Sequence, residues 1–327
     1  MYLDSLKKWS LSSNIEMYYN YNLQAPHLYS NNPLLVSYNA INQYDINFLN
    51  TKIEYLSEKF RFCFSPMYGS YMYANNINEP NYLKFIDRFN IGIKLHKREN
   101  VWLYSGVLPS HIGFESNYNY ENWTASRWIT SDNTPYYETG VRLELLTRNK
   151  KWLINLNVLN GWQNITYQIH QQLPSFGYQI QYYPNQYFII NSSTFVSFIN
   201  SNYQRYFHNF YVNYEKKNIG IVCFFDLGNQ KYMWFSYGMA LKYKINKYFN
   251  IATKYEEYND EHNIILSYFS SPARITNYSI SFNFNAFKHI IYRIEYRQFI
   301  SNNNIFLLQN TTTRYQNIIF NTLTFHL

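Results

Sequence analysis

The chain has 327 residues, 21% of them aromatic and only 15% charged, with a formal net charge of +8. No window approaches the roughly 18 to 20 consecutive apolar residues of a spanning helix, which excludes helical membrane insertion. A mean hydropathy on the polar side does not exclude a transmembrane β-barrel, in which every second residue faces a wet interior.

Met1 is followed by YLDSLKKWS, which lacks the charged-then-apolar layout of a secretory signal. Either the protein stays inside the cell or a signal has been removed. Taken in order, sixteen segments of about ten residues alternate with period two, at 13–23, 44–57, 60–70, 86–96, 101–108, 136–147, 152–159, 175–183, 187–197, 206–215, 218–226, 232–244, 248–258, 273–285, 289–299 and 314–327. Phe89, Ile91, Ile93 and Leu95 alternate with Arg88, Asn90, Gly92 and Lys94, and Tyr278, Ile280, Phe282 and Phe284 alternate with Asn277, Ser279, Ser281 and Asn283. One face is apolar and the other small or polar, as barrel strands require.

Connections after even-numbered strands are short: 57–59, 96–100, 148–151, 184–186, 215–218, 245–247 and 286–289. Those after odd-numbered strands are long at 24–43, 71–85, 109–135, 160–174, 198–205, 259–272 and 300–313, with only 228–231 short. This parity predicts an all-β fold: a closed antiparallel transmembrane β-barrel of about 16 strands with short periplasmic turns and long extracellular loops, forming a single domain over 1–327. The short turns hold ten basic residues (59, 97, 98, 148, 150, 151, 216, 217, 247 and 288) against three acidic ones (58, 99 and 215), a net of 7 positive charges. Because that excess sits at one rim and not on a stripe, no nucleic-acid partner is expected. The many tyrosines fit interfacial aromatic girdles.

The 109–135 connection carries Phe114, Trp123 and Trp128 together with Glu115, Glu121, Arg127 and Asp132. A connection of that length is uncommon unless functional or disordered, and its aromatic anchors need a surface. On strand parity, Lys52, Arg61, Arg88, Lys94, Arg142, Lys242, Lys254, Arg293 and Arg297 face the lumen against Glu54, Glu144, Glu256 and Glu295. Nine against four suggests a modest anion preference.

Ser110 and His111 are adjacent, and adjacent side chains of an extended segment point opposite ways, so no nucleophile–base pair and no enzyme is expected. Cys63 and Cys223 lie far apart and give no metal or redox spacing. Neither the cysteines nor the histidines suggest a metal site, and no cofactor is expected.

Several ordered blocks carry a resemblance: GVLPSHIGFE (106–115), NWT (122–124), SRW (126–128), TPYYETG (134–140) and LNGWQ (159–163), with weaker likeness at MYYNYN (17–22), YANN (73–76) and Glu79-Pro80. They closely resemble the OmpL-like outer-membrane β-barrel porins of Bacteroidetes-type bacteria, most strongly over 80–163. The resemblance implies passive diffusion of small hydrophilic solutes across a bacterial outer membrane, a signal peptide already removed, and contact with outer-membrane lipid and lipopolysaccharide. It also implies, by analogy with sixteen-stranded porins, a possible homotrimer and a 109–135 loop, after strand 5, folded inwards as a pore constriction. The chain departs by ending in Leu327 where a terminal aromatic is usual. The other function class is a non-transport or plugged outer-membrane barrel acting in surface assembly or glycan binding.

Overall fold

The computed structural model describes residues 8–167, 173–200, 203–267, 269, 271–308 and 311–327. The first residues of the expected 1–327 domain, and parts of the expected loops 160–174, 198–205, 259–272 and 300–313, lie outside them. The barrel strands are β1 (Trp9–Asn22), β2 (Tyr44–Leu56), β3 (Phe60–Tyr68), β4 (Ile86–Lys94), β5 (Asn100–Pro109), β6 (Tyr137–Leu146), β7 (Trp152–Leu159) and β8 (Ser175–Tyr182). They continue with β9 (Phe188–Asn200), β10 (Tyr203–Lys216), β11 (Ile219–Gln230), β12 (Tyr232–Lys244), β13 (Phe249–Asp260), β14 (Ala273–Phe287), β15 (Ile290–Ser301) and β16 (Tyr315–His326). Among the described residues these sixteen strands pair antiparallel in chain order and close into one barrel. β1 hydrogen-bonds β2 on one side and β16 on the other.

Closure follows from the alternation. In β12, Met233, Tyr237, Met239, Leu241 and Tyr243 are exposed outward while Trp234, Ser236 and Ala240 are buried inward. An apolar outer face in lipid leaves no water for unpaired N–H and C=O groups, so a sheet with free edges is untenable and the closed one is not. Several strands outrun the expected segments: β1 begins at Trp9, not 13, while β9 and β11 run on to Asn200 and Gln230. Beyond the lipid both faces of a strand are wet, so its hydrogen bonding continues after the hydrophobic alternation has ended.

Connections after even-numbered strands are two to five residues long, at 57–59, 95–99, 147–151, 183–187, 217–218, 245–248 and 288–289. The start of β1 and the end of β16 lie on that side, where Leu327 donates its N–H to Ser13 O at 2.9 Å. At the opposite end the loop after β1 carries a small pairing of Ser30–Asn31 with Ala40–Ile41, and the loop after β3 carries helix α1 (Ser70–Asn75). The segment between β5 and β6 holds a 3-10 turn, Asn119–Glu121, and the one-turn helix α2 (Ile129–Asp132).

An apolar cluster lies within the lumen. Leu34 and Leu35, Ile112 and Ile129, Leu266, and Phe306, from four different loops, are buried against the inward residues Phe195, Phe207, Trp234, Ile275, Phe299 and Phe320. The loops thus fold into the barrel's long-loop end instead of standing in solvent.

Candidate functional site

Residues 110–136 leave β5 and return to β6 across a closed neck, with Ser110 N–H donating to Tyr136 O at 3.1 Å. Gly106 and Gly140 face each other below the neck with φ of 124° and 155°. A Cβ at either would lie 2.1 Å from a carbonyl oxygen of the adjoining strand, so only glycine permits this close approach. Between these ends the backbone has little regular structure, and its buried peptide groups must find partners elsewhere.

The barrel wall supplies them through its charged side chains. Glu16 accepts from Asn119 N at 2.7 Å, and Glu295 accepts from Ser126 N and Oγ at 2.7 and 2.8 Å. Glu256 accepts from Ile129 N at 2.9 Å and Thr130 N at 3.1 Å. In the opposite sense, Arg293 donates to Asn119 O and Asn122 O, both at 2.9 Å, Lys254 to Ser126 O at 2.6 Å, and Arg297 to Arg127 O at 2.5 Å. Wall acids take the segment's N–H groups and wall bases take its carbonyls. These are charge-assisted bonds, the stronger kind, and they run from residues on β1, β13 and β15.

The aromatic anchors rest on the other wall. Trp128 packs on Phe224 with ring centres 4.8 Å apart and Phe114 on Tyr211 at 5.4 Å, in a cluster with Val222 and Ala240. Gly220 and Gly238 provide the seats: a Cβ there would come within 2.7 Å of Trp123 and 2.9 Å of Trp128. At the segment's start His111 Nδ1 lies 2.7 Å from Glu138 and Nε2 lies 3.0 Å from Thr194 O. Arg142 donates to Asn157 Oδ1 and Pro109 O, both at 2.7 Å, and lies 3.4 Å from Glu138. At its far end Asp132 accepts from Val36 N and Ser37 N at 3.0 Å, tying in the first loop.

Arg127 is the keystone. It pairs with Asp132 at 3.4 Å with both side chains fully buried, donates to Asn117 O at 2.7 Å, and lies between the Tyr71 and Tyr136 rings, 4.8 and 4.5 Å from their centres. Removing one partner of a buried pair leaves an uncompensated charge, at a cost of about 3–5 kcal/mol. Arg127→Ala is therefore expected to destabilise the detergent-solubilised barrel by about that much, read as a lower unfolding temperature of the heat-modifiable form. An unchanged transition would show that Asp132 has other means of neutralisation.

Of the remaining residues singled out by parity, Lys52, Glu54, Arg61, Lys94, Glu144 and Lys242 lie towards the short-turn side, whereas Arg88 is near the long-loop end of β4, 5.0 Å from the Tyr118 ring centre. Arg61 stacks on Trp102 at 3.8 Å, lies 3.9 Å from Glu144 and donates to Tyr104. Lys52 pairs with Glu54 at 3.1 Å, Arg88 with Asp87 at 3.7 Å and Lys242 with Glu215 at 2.7 Å. Lys94 is half-buried at the end of β4. Glu115 accepts from Trp128 N at 2.9 Å, and with Glu121 and Lys254 it lines a cavity of about 70 Å³ between segment and wall, room for about two waters.

Sequence reading missed five inward acids. Glu16, Glu138, Asp226 and Asp260 are buried on the inward parity of their strands; the alternation already held that signal for Glu16 and Glu138, whereas Asp226 sits in a segment of ambiguous face and Asp260 lies beyond the expected 248–258. Asp87 is buried as well, where the register shifts between Ser65 and Pro66 opposite it, and no parity rule would find it. With these the acids rise from four to nine; Arg205, on the inward parity of β10 with its guanidinium 5.0 Å from the Trp162 ring centre, raises the cations from nine to ten. In the turns outside the barrel, the Arg148 guanidinium beside Glu99 holds its carboxyl below the usual range.

Among solved structures the chain is similar to the outer membrane channel DcaP of Acinetobacter baumannii, at 9% identity, TM-score 0.61, covering 98% of this chain and 97% of that one. It is likewise similar to OmpF of Salmonella typhi in complex with daunomycin, at 9% identity, TM-score 0.60, covering 98% and 97%. The anion-selective porin of Comamonas acidovorans matches at 9% identity, TM-score 0.60, covering 98% and 99%. These likenesses establish the fold, a closed sixteen-stranded porin barrel. No curated protein matches the sequence. The family described as "Putative beta-barrel porin-2, OmpL-like" matches residues 8–327, and the chain belongs to that OmpL-like family of β-barrel porins.

Proposed function

We propose that the chain is an outer-membrane porin for passive diffusion of small hydrophilic solutes, with residues 110–136 as its constriction. The observation that carries this reading is the segment itself, held across a lumen by charged side chains of β1, β13 and β15. A barrel of about sixteen strands without such a segment leaves a wide aqueous channel, and a segment lying across it narrows that channel. The reading assigns no catalytic residue.

A slight anion preference is part of the proposal, smaller than nine cations against four acids implies, because nine acids now oppose ten cations and most of the buried charges are spent on peptide groups of the loops. The solvated charges on the short-turn side then matter most. A unit charge about 7 Å from a passing ion contributes about 0.6 kcal/mol at water's dielectric constant, or about threefold in permeability. Planar-bilayer recording should give small, stable steps, and Arg61→Glu should move the reversal potential across a KCl gradient towards cations. Reversal potentials equal in Arg61→Glu and the parent at low salt would remove Arg61 from the conduit.

Partners follow from the outer face: outer-membrane lipid, lipopolysaccharide and a homotrimer. The trimer draws support from unequal walls. β3 to β8 are 8 to 10 residues long, whereas β9 to β16 are 12 to 15. A tilted strand of eight residues spans less than the ~25 Å apolar band, and a second copy against the short wall relieves that mismatch. A trimer would close in groups of three steps in the same recordings.

The apolar cluster inside the long-loop end favours the second reading, a plugged barrel of surface assembly or glycan binding. Recordings from folded protein with no steps at all would decide for it.

A further inference from the structure

The short turns repeat one pairing: a lysine beside an aromatic ring that faces lipid. Lys59 precedes Phe60, Lys247 precedes Tyr248 and Lys288 follows Phe287; all three rings are exposed, and Phe60 and Phe287 pair with Ile93 and Ile290 on the outward face. The Lys216 Nζ lies 4.9 Å from the ring centre of Tyr187 in the neighbouring short turn, and the Lys247 Nζ lies 4.7 Å from that of Tyr248. Lys217 occupies a two-residue turn at positive φ, 54°. These side chains are solvent-exposed.

Aromatic rings of this kind settle at the headgroup level of a bilayer, and a lysine stem laid along apolar surface carries its ammonium to the adjoining polar layer. Turns of two to five residues cannot lift that charge far above the membrane. The ammonium groups therefore stand in a ring at the depth of lipid phosphates. We propose that this rim binds the phosphates of net-anionic glycerophospholipids in the leaflet that the short turns face, forming a collar that fixes the barrel's depth and tilt. An anionic periplasmic polymer such as peptidoglycan fits less well, because the cations adjoin lipid-facing rings and not a surface raised into the periplasm. The inference requires only that the barrel spans a bilayer; it is independent of whether the lumen conducts.

The test uses the full chain in phosphatidylcholine vesicles containing either spin-labelled phosphatidylglycerol or spin-labelled phosphatidylcholine, with the motionally restricted fraction measured for each. Surface cations near an anionic leaflet each add measurably to binding, so phosphatidylglycerol should be preferred about threefold or more at 0.1 M NaCl. The preference should fall towards parity at 1 M, where the Debye length is about 3 Å. The combined variant Lys216→Gln, Lys217→Gln, Lys247→Gln and Lys288→Gln should lose most of it, and Lys231→Gln, at the opposite rim, should keep it. Should the combined variant fail to fold, the salt dependence of the parent still decides. Equal restriction of the two lipids in the parent, or an unchanged preference in the combined variant, overturns the proposal. Sedimentation with peptidoglycan sacculi without any lipid preference overturns it in favour of the polymer.

Discussion

Replacing residues 112–134 with a short Gly–Ser linker is expected to raise single-channel conductance about fivefold, since a sixteen-stranded barrel without an inward segment leaves an open aqueous channel. The neck makes the replacement feasible, because Ser110 and Tyr136 already hydrogen-bond at 3.1 Å. The charged residues that clamp the segment are not stranded by its removal: Glu16, Glu256, Glu295, Arg293 and Arg297 would face water entering the lumen, which solvates them. What is lost is the packing of Trp128 and Phe114 on Tyr211, Val222 and Phe224. Burying one such side chain is worth about 1.5–3 kcal/mol. The variant should consequently unfold at lower temperature while still assembling, because the ladder of the sixteen strands is untouched. Conductance equal to the parent's would show that ions bypass this segment.

Deleting Asn321–Leu327 is expected to abolish the folded, heat-modifiable barrel. Those residues bond on both sides, Asn321 to His326 lying opposite Tyr19 to Asn14 of β1 and Ile294 to His289 of the neighbouring strand and turn. Within lipid each unsatisfied backbone group costs several kcal/mol. A few such groups on each of two edges exceed the ~5–15 kcal/mol that holds a typical fold together. Leu327 shares in this seal through its bonds with Ser13. Normal assembly of the truncated chain would contradict the closure.

The sequence by itself determined the strands, their number, which face of most of them meets lipid, and which end carries the turns; the faces of 187–197 and 218–226 are ambiguous in it. These features are local: period-two alternation and the parity of connection lengths are properties of neighbouring residues, and a closed antiparallel sheet is what remains once lipid forbids free edges. The use of the charges was decided by the tertiary structure. Arg293 lies 174 positions from the carbonyl of Asn119 that it holds, and Glu295 lies 169 positions from Ser126. No spacing rule reaches that far. Parity turned Lys254, Glu256, Arg293, Glu295 and Arg297 inward as the alternation required, but whether they meet ions or peptide groups depends on what else enters the barrel. Trp123 and Trp128 announced that the long segment needed a surface; Gly220 and Gly238 supplied it. Those seats became visible only when closure brought strands β11 and β12 round to face a segment leaving β5.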